Sequence, residues 1–327
     1  MRRREFISFV GGAAALPFVT SAAMGKVPTL GYLSDEGAGP HPFRSHRPVL
    51  DGLRQLGYVE GQNILVEYRN ANGEVGKLPS FAAELAALPV DVIFAVGTPA
   101  VRAAIAATKT VAIVFSRVGE PMAAGLVASL ARPDGNATGV SVFTTDLAGR
   151  RLQVLKELVP ELTTLAILHE PKFLPGQLEL KALTQIAQSI NLQLHLVGTE
   201  TIEALEDAAG PLGKGSPQAL FVGSSGWFED HYQLAIDAAS KAHLPALYVR
   251  SEYTAAGGLV SYGIPYREMY RTAAGYIDRV LKGANPRDLP VQNPVKTELV
   301  INLKTAKTLG LTVPDKLLAI TDEVIES

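Results

Sequence analysis

Short runs of β-branched and aromatic residues alternate with longer segments of helical period from Val27 almost to the end of the chain. That alternation is the signature of βα units wound around parallel sheets, and it excludes all-helical and all-β folds. The spacing predicts strands over Thr29–Leu33, Ile64–Tyr68, Val90–Val96, Val111–Ser116 and Thr138–Val142. A second series follows over Leu165–Leu168, Leu192–Val197, Ala219–Val222, Ala246–Val249 and Leu259–Tyr262. Helical stretches such as Arg47–Leu56, Lys77–Ala87, Pro99–Ala107, Leu147–Leu158, Leu178–Ile190, Glu229–Ala242 and Tyr266–Leu281 lie between them. Val90–Val96 is nearly all apolar, as expected of a strand covered by helices on both faces. Ten strands in one open sheet would tend to split or curl. The break near Phe143–Asp146 therefore predicts two similar Rossmann-like lobes, an α/β fold with parallel sheets. A Pro-rich tail after Leu281 leads to a short strand at Glu298–Asn302 and a small helix, and reads as a crossover between the lobes.

The length of 327 residues suits two such lobes. Lys+Arg 30 against Asp+Glu 32, spread along the chain, lack the basic stripe of a nucleic-acid binder. Without cysteine there is no disulfide framework, thiolate nucleophile, Cys-ligated zinc or lipid-anchoring cysteine. The chain opens with Arg2-Arg3-Arg4-Glu5-Phe6, then a weakly apolar run to Val19 and a small-residue exit, Thr20 to Met24. Residues 1–25 thus have the architecture of an export signal, and the twin arginines look like a twin-arginine address. The run is shorter than the roughly 20 apolar residues a membrane span takes. The competing reading is an amphipathic helix retained on a cytosolic protein, but polar residues do not recur at helical spacing within the run. Loss of this segment removes three Arg and one Glu and shifts the net charge from −2 to −4. No later apolar stretch reaches about 18 residues, so a soluble, unanchored periplasmic protein is expected.

In open α/β sheets ligands bind just outside the carboxyl ends of the strands. Tyr32, Ser34 and Asp35 lie at the first such end. Gly97-Thr98-Pro99 opens a helix after the third: Thr98 can cap, Pro99 suits the first turn, and the free amides can hold a carboxylate. The plainer reading is a well-capped helix. Glu120-Pro121 follows the fourth strand, where Glu120 either accepts an ammonium group or favours the next helix's positive end. Ser141 and Phe143 fall at the fifth. In the second series the ends carry His169, then Ser224, Ser225, Trp227 and Phe228, then Arg250 and Glu252, and finally Tyr262. Aromatic walls with a few charges suit a small amphipathic ligand, although any one ring can equally pack in the core or at the hinge.

Catalytic signatures are missing from the sequence. No Gly-x-Gly-x-x-Gly follows the first strand, and Gly213-Lys214 lacks the rest of a phosphate loop. Gly223-Ser224-Ser225-Gly226 misses a nucleophile elbow by one position. The six histidines show no His-x-x-x-His or His-Glu-x-x-His spacing, so neither a metal nor a cofactor is expected.

Several segments resemble a known family: Gly52–Ile64, Asp91–Ala100, Gly119-Glu120-Pro121 through Asn136, Ala256–Leu259, and the tail Glu298–Lys307 with Leu309-Gly310-Leu311. The chain is similar to ABC-transporter substrate-binding proteins related to the tryptophan- and tyrosine-binding members, a branch of the type I periplasmic binding proteins. The resemblance implies capture of a small molecule between two hinged lobes and delivery to a membrane permease driven by a separate ATPase, by a monomeric receptor. It also implies three crossovers, with residues 27–142 plus about 264–290 in one lobe and 143–263 plus about 291–327 in the other. Relatives commonly have Gly-Asp-Pro where Glu120 stands and Asn-Pro where His169-Glu170-Pro171 stands, so the departures fall in the expected pocket.

The leading expectation is a solute receptor for an amino acid, aromatic ones included, or a related carboxylate. Thr98 and neighbouring amides would hold the carboxylate, with Arg250 a second candidate. Glu120 or Asp35 would face the ammonium group, and Trp227, Phe228, Tyr32 and Tyr262 would form walls. The alternative is an exported α/β enzyme acting on a small carboxylate, with Ser224, Ser225 or His169 as the available nucleophile or base. A ligand-sensing protein of the same fold would need a DNA-binding module where the export-like segment stands.

Overall fold

The structure, a computed structural model, describes residues 26–37, 46–214, 216–294 and 296–326. The expected export segment, residues 1–25, lies outside the described residues. The first half contains β1 (Thr29–Ser34), α1 (His46–Gln55), β2 (Leu65–Asn70), α2 (Leu78–Ala87), β3 (Val92–Val96), α3 (Thr98–Ala107), β4 (Ala112–Gly119) and β5 (Ala137–Val142). Then come α4 (Thr144–Leu158), β6 (Thr164–His169), α5 (Leu174–Ser189), β7 (Gln193–Gly198), α6 (Ile202–Glu206), α7 (Ala209–Gly213) and β8 (Ala219–Val222). They are followed by α8 (Gly226–Asp230), α9 (Tyr232–Lys241), β9 (Ala246–Tyr248), α10 (Ser251–Ala255), β10 (Val260–Gly263) and α11 (Tyr266–Leu281). The tail adds β11 (Glu298–Asn302), α12 (Leu303–Thr308), α13 (Asp315–Leu318) and β12 (Glu323–Ile325).

Two sheets form. One has the order β2-β1-β3-β4-β5, the other β12-β11-β10-β9-β8-β6-β7. Among the described residues every ladder is parallel except β10–β11. The run β7-β6-β8-β9-β10 repeats the order of the first sheet, so each lobe has one point at which the winding direction reverses. These points lie at β1/β3 and β6/β8.

Helices cover both faces of each sheet, which is why the central strands carry apolar residues at consecutive positions. On one face of the first sheet, Ala82 and Leu85 of α2 and Val101 and Ala104 of α3 pack on Ile93, Ala95 and Phe115. On the other, Val49 and Leu53 of α1 join Met269, Ala273 and Ile277 of α11 against Leu30, Phe94 and Val96. Their i, i+4 spacing makes one apolar stripe, and each fully buried large side chain contributes about 1.5–3 kcal/mol. Thus α11, late in sequence, belongs to the core of the first sheet. Proline at the first turn of α2, α3 and α5 presets the helical φ where no amide donor is needed.

The chain passes between lobes from β5 to α4, from β10 to α11, and again after Gln292. Gln292 still bridges Val140, accepting from the Ser141 amide at 2.8 Å. Two features depart from the sequence pattern. The helix expected over Glu229–Ala242 is broken at His231 (φ −118°, ψ 32°), whose ring Nδ1 and backbone amide both bond the Trp227 carbonyl, at 2.8 and 3.1 Å. The tail also adds β12, a three-residue edge strand too short to show a period.

Candidate ligand-binding cleft

The two reversal points face each other across a cavity of about 490 Å³. From the first lobe, Asp35 follows β1 and Gly97-Thr98-Pro99 follows β3; from the second, Glu170 follows β6 and Ser224-Ser225 follows β8. Trp227, Phe173, Pro175 and Tyr266 supply apolar wall, and Arg117, Arg151, Arg250, Glu229 and Asp230 supply charge.

Gly97 has φ +89°, and a Cβ there would lie 2.6 Å from both Asp35 carboxylate oxygens. The protein's own carboxylate therefore sits against the start of α3, where the helix dipole favours negative charge. Gly97, not Thr98, is the cap residue of α3. The Thr98 hydroxyl is buried at the cavity and has no hydrogen-bond partner among the described residues.

Arg117 reaches the cleft through a β-bulge. Between Phe115 and Val118 the β4–β5 register shifts, so Ser116 and Arg117 together oppose Val140, and Arg117 has φ +57°. Such a bulge bends the strand and re-aims the side chain. Gly139 permits it: a Cβ there would lie 2.1 Å from the Phe115 carbonyl oxygen. Arg117 donates to Asp35 Oδ1 at 2.7 Å within its lobe and to Glu229 Oε2 at 3.2 Å across the cleft. Its Nη1 also lies 3.8 Å from Glu36. Tyr266 donates to Glu229 Oε1 at 2.7 Å, and Asp230 accepts from the Gly37 amide at 3.1 Å. Arg250 forms two bonds to Glu252, at 2.6 and 3.1 Å, and lies over the Tyr266 ring. Arg151 is paired with buried Glu179 and donates to the Tyr262 carbonyl at 3.0 Å.

Burial is the largest influence on the two central carboxyls. It raises Asp35 to about 6 against the pull of Arg117, with Glu36 and Asp230 adding to the rise. It raises Glu229 to about 7 against Arg250 and Arg117, with Glu252 and Asp230 again adding. Burial also raises Glu170, opposed by its hydrogen bond from the Ser225 hydroxyl.

Of the residues expected from the sequence, Asp35, Gly97, Thr98, Pro99, Ser224, Ser225, Trp227 and Arg250 line the cavity. The others lie outside the lining, for specific reasons. Tyr32 points into the first lobe, its hydroxyl donating to Glu36 at 3.0 Å, and the Ser34 hydroxyl accepts from the Glu36 amide at 3.0 Å. Ser141 donates to the Val118 carbonyl at 2.9 Å. Glu120, on a left-handed backbone (φ +49°), accepts from Thr145 at 2.8 Å at the crossover, and Pro121 is buried in the same loop. Phe143 caps α4 and is half-buried. Phe228 turns into the core while its neighbour Trp227 faces the cleft, as one step around a short helix requires. His169 is half-buried at the end of β6, where burial lowers its pKa. Tyr262 bonds Thr297 at 3.0 Å and packs on the second lobe's core, while Glu252 stands behind Arg250. The Ser225 hydroxyl, besides bonding Glu170, accepts from the Phe228 amide as the cap of α8.

Arg117, Glu229, Asp230, Arg151, Phe173 and Tyr266 are lining residues absent from the sequence expectation. A signal existed for Arg117, which directly follows the strand expected over Val111–Ser116, and for Glu229, which sits four residues after capping Ser225. Tyr266 reaches the cleft only because the second crossover ends there.

The profile of the family described as ABC transporter substrate binding protein matches residues 40–325. The tyrosine-binding protein of Clostridioides difficile strain R20291 is 26% identical over 273 residues, spanning 83% of this chain and 78% of that one. A conserved domain protein of Vibrio cholerae has a TM-score of 0.85 at 25% identity, covering 91% of this chain and 100% of its own. The Streptococcus pneumonia ABC domain in complex with L-Trp has a TM-score of 0.81 at 24% identity, covering 90% and 100%.

Proposed function

The chain belongs to the ABC transporter substrate-binding protein family, and from that premise we propose that it is the solute receptor of an importer. It is exported to the periplasm, closes its two lobes around a small molecule as a monomer, and delivers it to a membrane permease driven by a separate ATPase. The basic and then apolar segment over residues 1–25 supports export. No helix among the described residues is long and apolar enough to cross a membrane. The ligand carries an ammonium group on an apolar or aromatic body, amino acids being the simplest members of that class.

One observation carries this reading. Both reversal points open onto a single cavity of about 490 Å³, in which aromatic walls meet carboxylates. That volume lies within the range of small-molecule sites. The tyrosine-binding relative and the L-Trp complex support the same ligand class.

Trp227, the one tryptophan of the sequence, lines the cavity and serves as the reporter. Its emission and the melting temperature are to be followed across a panel of amino acids and aromatic amines. A ligand at about 100 times its Kd stabilises by about 2.7 kcal/mol, which raises Tm by several degrees. Trp227→Phe is expected to weaken binding about ten-fold through loss of wall contact. If folded, ligand-stripped protein responds to no compound in either signal, the receptor reading fails.

A further inference from the structure

The charges of the cleft narrow the ligand class further, on the premise that this cleft is the receptor site. Three guanidinium groups reach the lining, and carboxylates of the protein already match each one. Arg117 is held by Asp35 at 2.7 Å and Glu229 at 3.2 Å, and Arg250 by Glu252 at 2.6 Å, with Glu229 facing its Nη1 at 3.9 Å, beyond hydrogen-bond distance. Arg151 is paired with Glu179, and both are buried. The start of α3, the other place for a ligand carboxylate, has the Asp35 carboxylate packed against Gly97.

Negative groups outnumber positive ones. Asp35, Glu170, Glu229 and Asp230 line the cavity against the three arginines, and Glu36, Glu179 and Glu252 stand behind those arginines. Surplus charge of one sign, focused in a cleft with low-dielectric walls, attracts a cation and repels an anion. The unpartnered Thr98 hydroxyl can accept an N–H, and the Trp227 ring can take the body of the ligand or the face of its cation.

We propose that the cleft selects a small apolar or aromatic amine without a carboxylate over the corresponding amino acid. The full chain, dialysed free of ligand, is to be titrated calorimetrically with matched pairs: tryptamine and tryptophan, tyramine and tyrosine, phenethylamine and phenylalanine. Indole-3-acetate serves as an acid without an amine. At least one amine is expected to bind at least about ten-fold tighter than its amino acid, with no binding of indole-3-acetate. An amino acid that binds as tightly as its amine, or tighter, overturns this inference and leaves the receptor reading standing. No binding by any member overturns both. Asp35→Asn is expected to lower the amine-to-amino-acid affinity ratio about ten-fold. Asp230→Asn, at a partly exposed lining position, gives the same readout if that variant fails to fold. A ratio unchanged in a folded variant overturns the charge argument.

Discussion

Glu229 is held in a position that costs free energy when it ionises. Burial lifts it from an ordinary value near 4.5 to about 7, and it faces Arg117, Arg250, Glu252, Asp230 and the hydroxyls of Tyr266 and Tyr253. Asp35, lifted to about 6, shares the Arg117 guanidinium with it. A carboxyl whose folded pKa exceeds its unfolded one binds more protons folded. Its contribution to stability is complete below the unfolded pKa and is lost as pH rises through the folded one. The ligand-free protein should therefore lose stability from about pH 4.5 to about pH 7, by up to about 3 kcal/mol for Glu229 at about 1.4 kcal/mol per pH unit. Thermal melts across that range should show the loss, and Glu229→Gln should flatten the curve. A cationic ligand reverses the trend, stabilising more at the alkaline end, because it favours the ionised carboxylates. A wild-type curve that rises over this window would contradict the assignment. Of these groups, Asp35 was legible as a strand-end acid, but its closeness to Glu229 depends on which strands of two sheets face one cleft. Residue order does not state that.

At the scale of elements, the bulge in β4 is what makes Arg117 a cleft residue. Two residues oppose Val140, and the backbone fits only because Gly139 carries no side chain. Gly139→Ala would set a methyl 2.1 Å from the Phe115 carbonyl oxygen, so strand pairing must shift. A loss of about 1–3 kcal/mol is expected, with ligand affinity falling alongside it as Arg117 is re-aimed. Gly275→Ala in α11 is the contrast: nothing lies within 4 Å of the added carbon, and the gain in helix propensity is about 1 kcal/mol at most. Chemical denaturation of both variants tests the pair; equal effects would mean that the bulge is not set by Gly139. Elements with a sustained period were legible, and α11 runs over the same residues as its apolar pattern, Tyr266–Leu281. The bulge was not, because the sequence pattern ends the strand at Ser116, and only the ladder to β5 reveals that pairing continues to Gly119 with an extra residue. Side-chain direction was lost for a related reason. Tyr32, Phe228 and Tyr262 sit at the right ends of the right elements, yet a single step of the backbone turns each toward its own core.

For the whole molecule, the repeated strand order means that closing the lobes brings two acidic reversal points together. Asp35 comes from one, and Glu229 and Asp230 come from the other. Such closure opposes itself unless positive charge lies between them. Arg117 supplies part of it, reaching from its own lobe to Glu229 at 3.2 Å, while the Gly37 amide bonds Asp230 at 3.1 Å. A cationic ligand would supply the rest, so closure and ligand charge are linked through one electrostatic balance. Arg117→Ala should therefore shift the ligand-free protein toward open forms, and small-angle scattering should show a larger radius of gyration than wild type. The apparent affinity falls in proportion to the closed fraction, so about a ten-fold loss corresponds to closure reduced to about a tenth of its former population. Saturating ligand should bring the variant back to wild-type dimensions, since the added cation then sits where the guanidinium was. If the ligand-free variant is as compact as wild type, Arg117 is not what holds the lobes together; if ligand fails to restore compactness, charge balance is not what closes them.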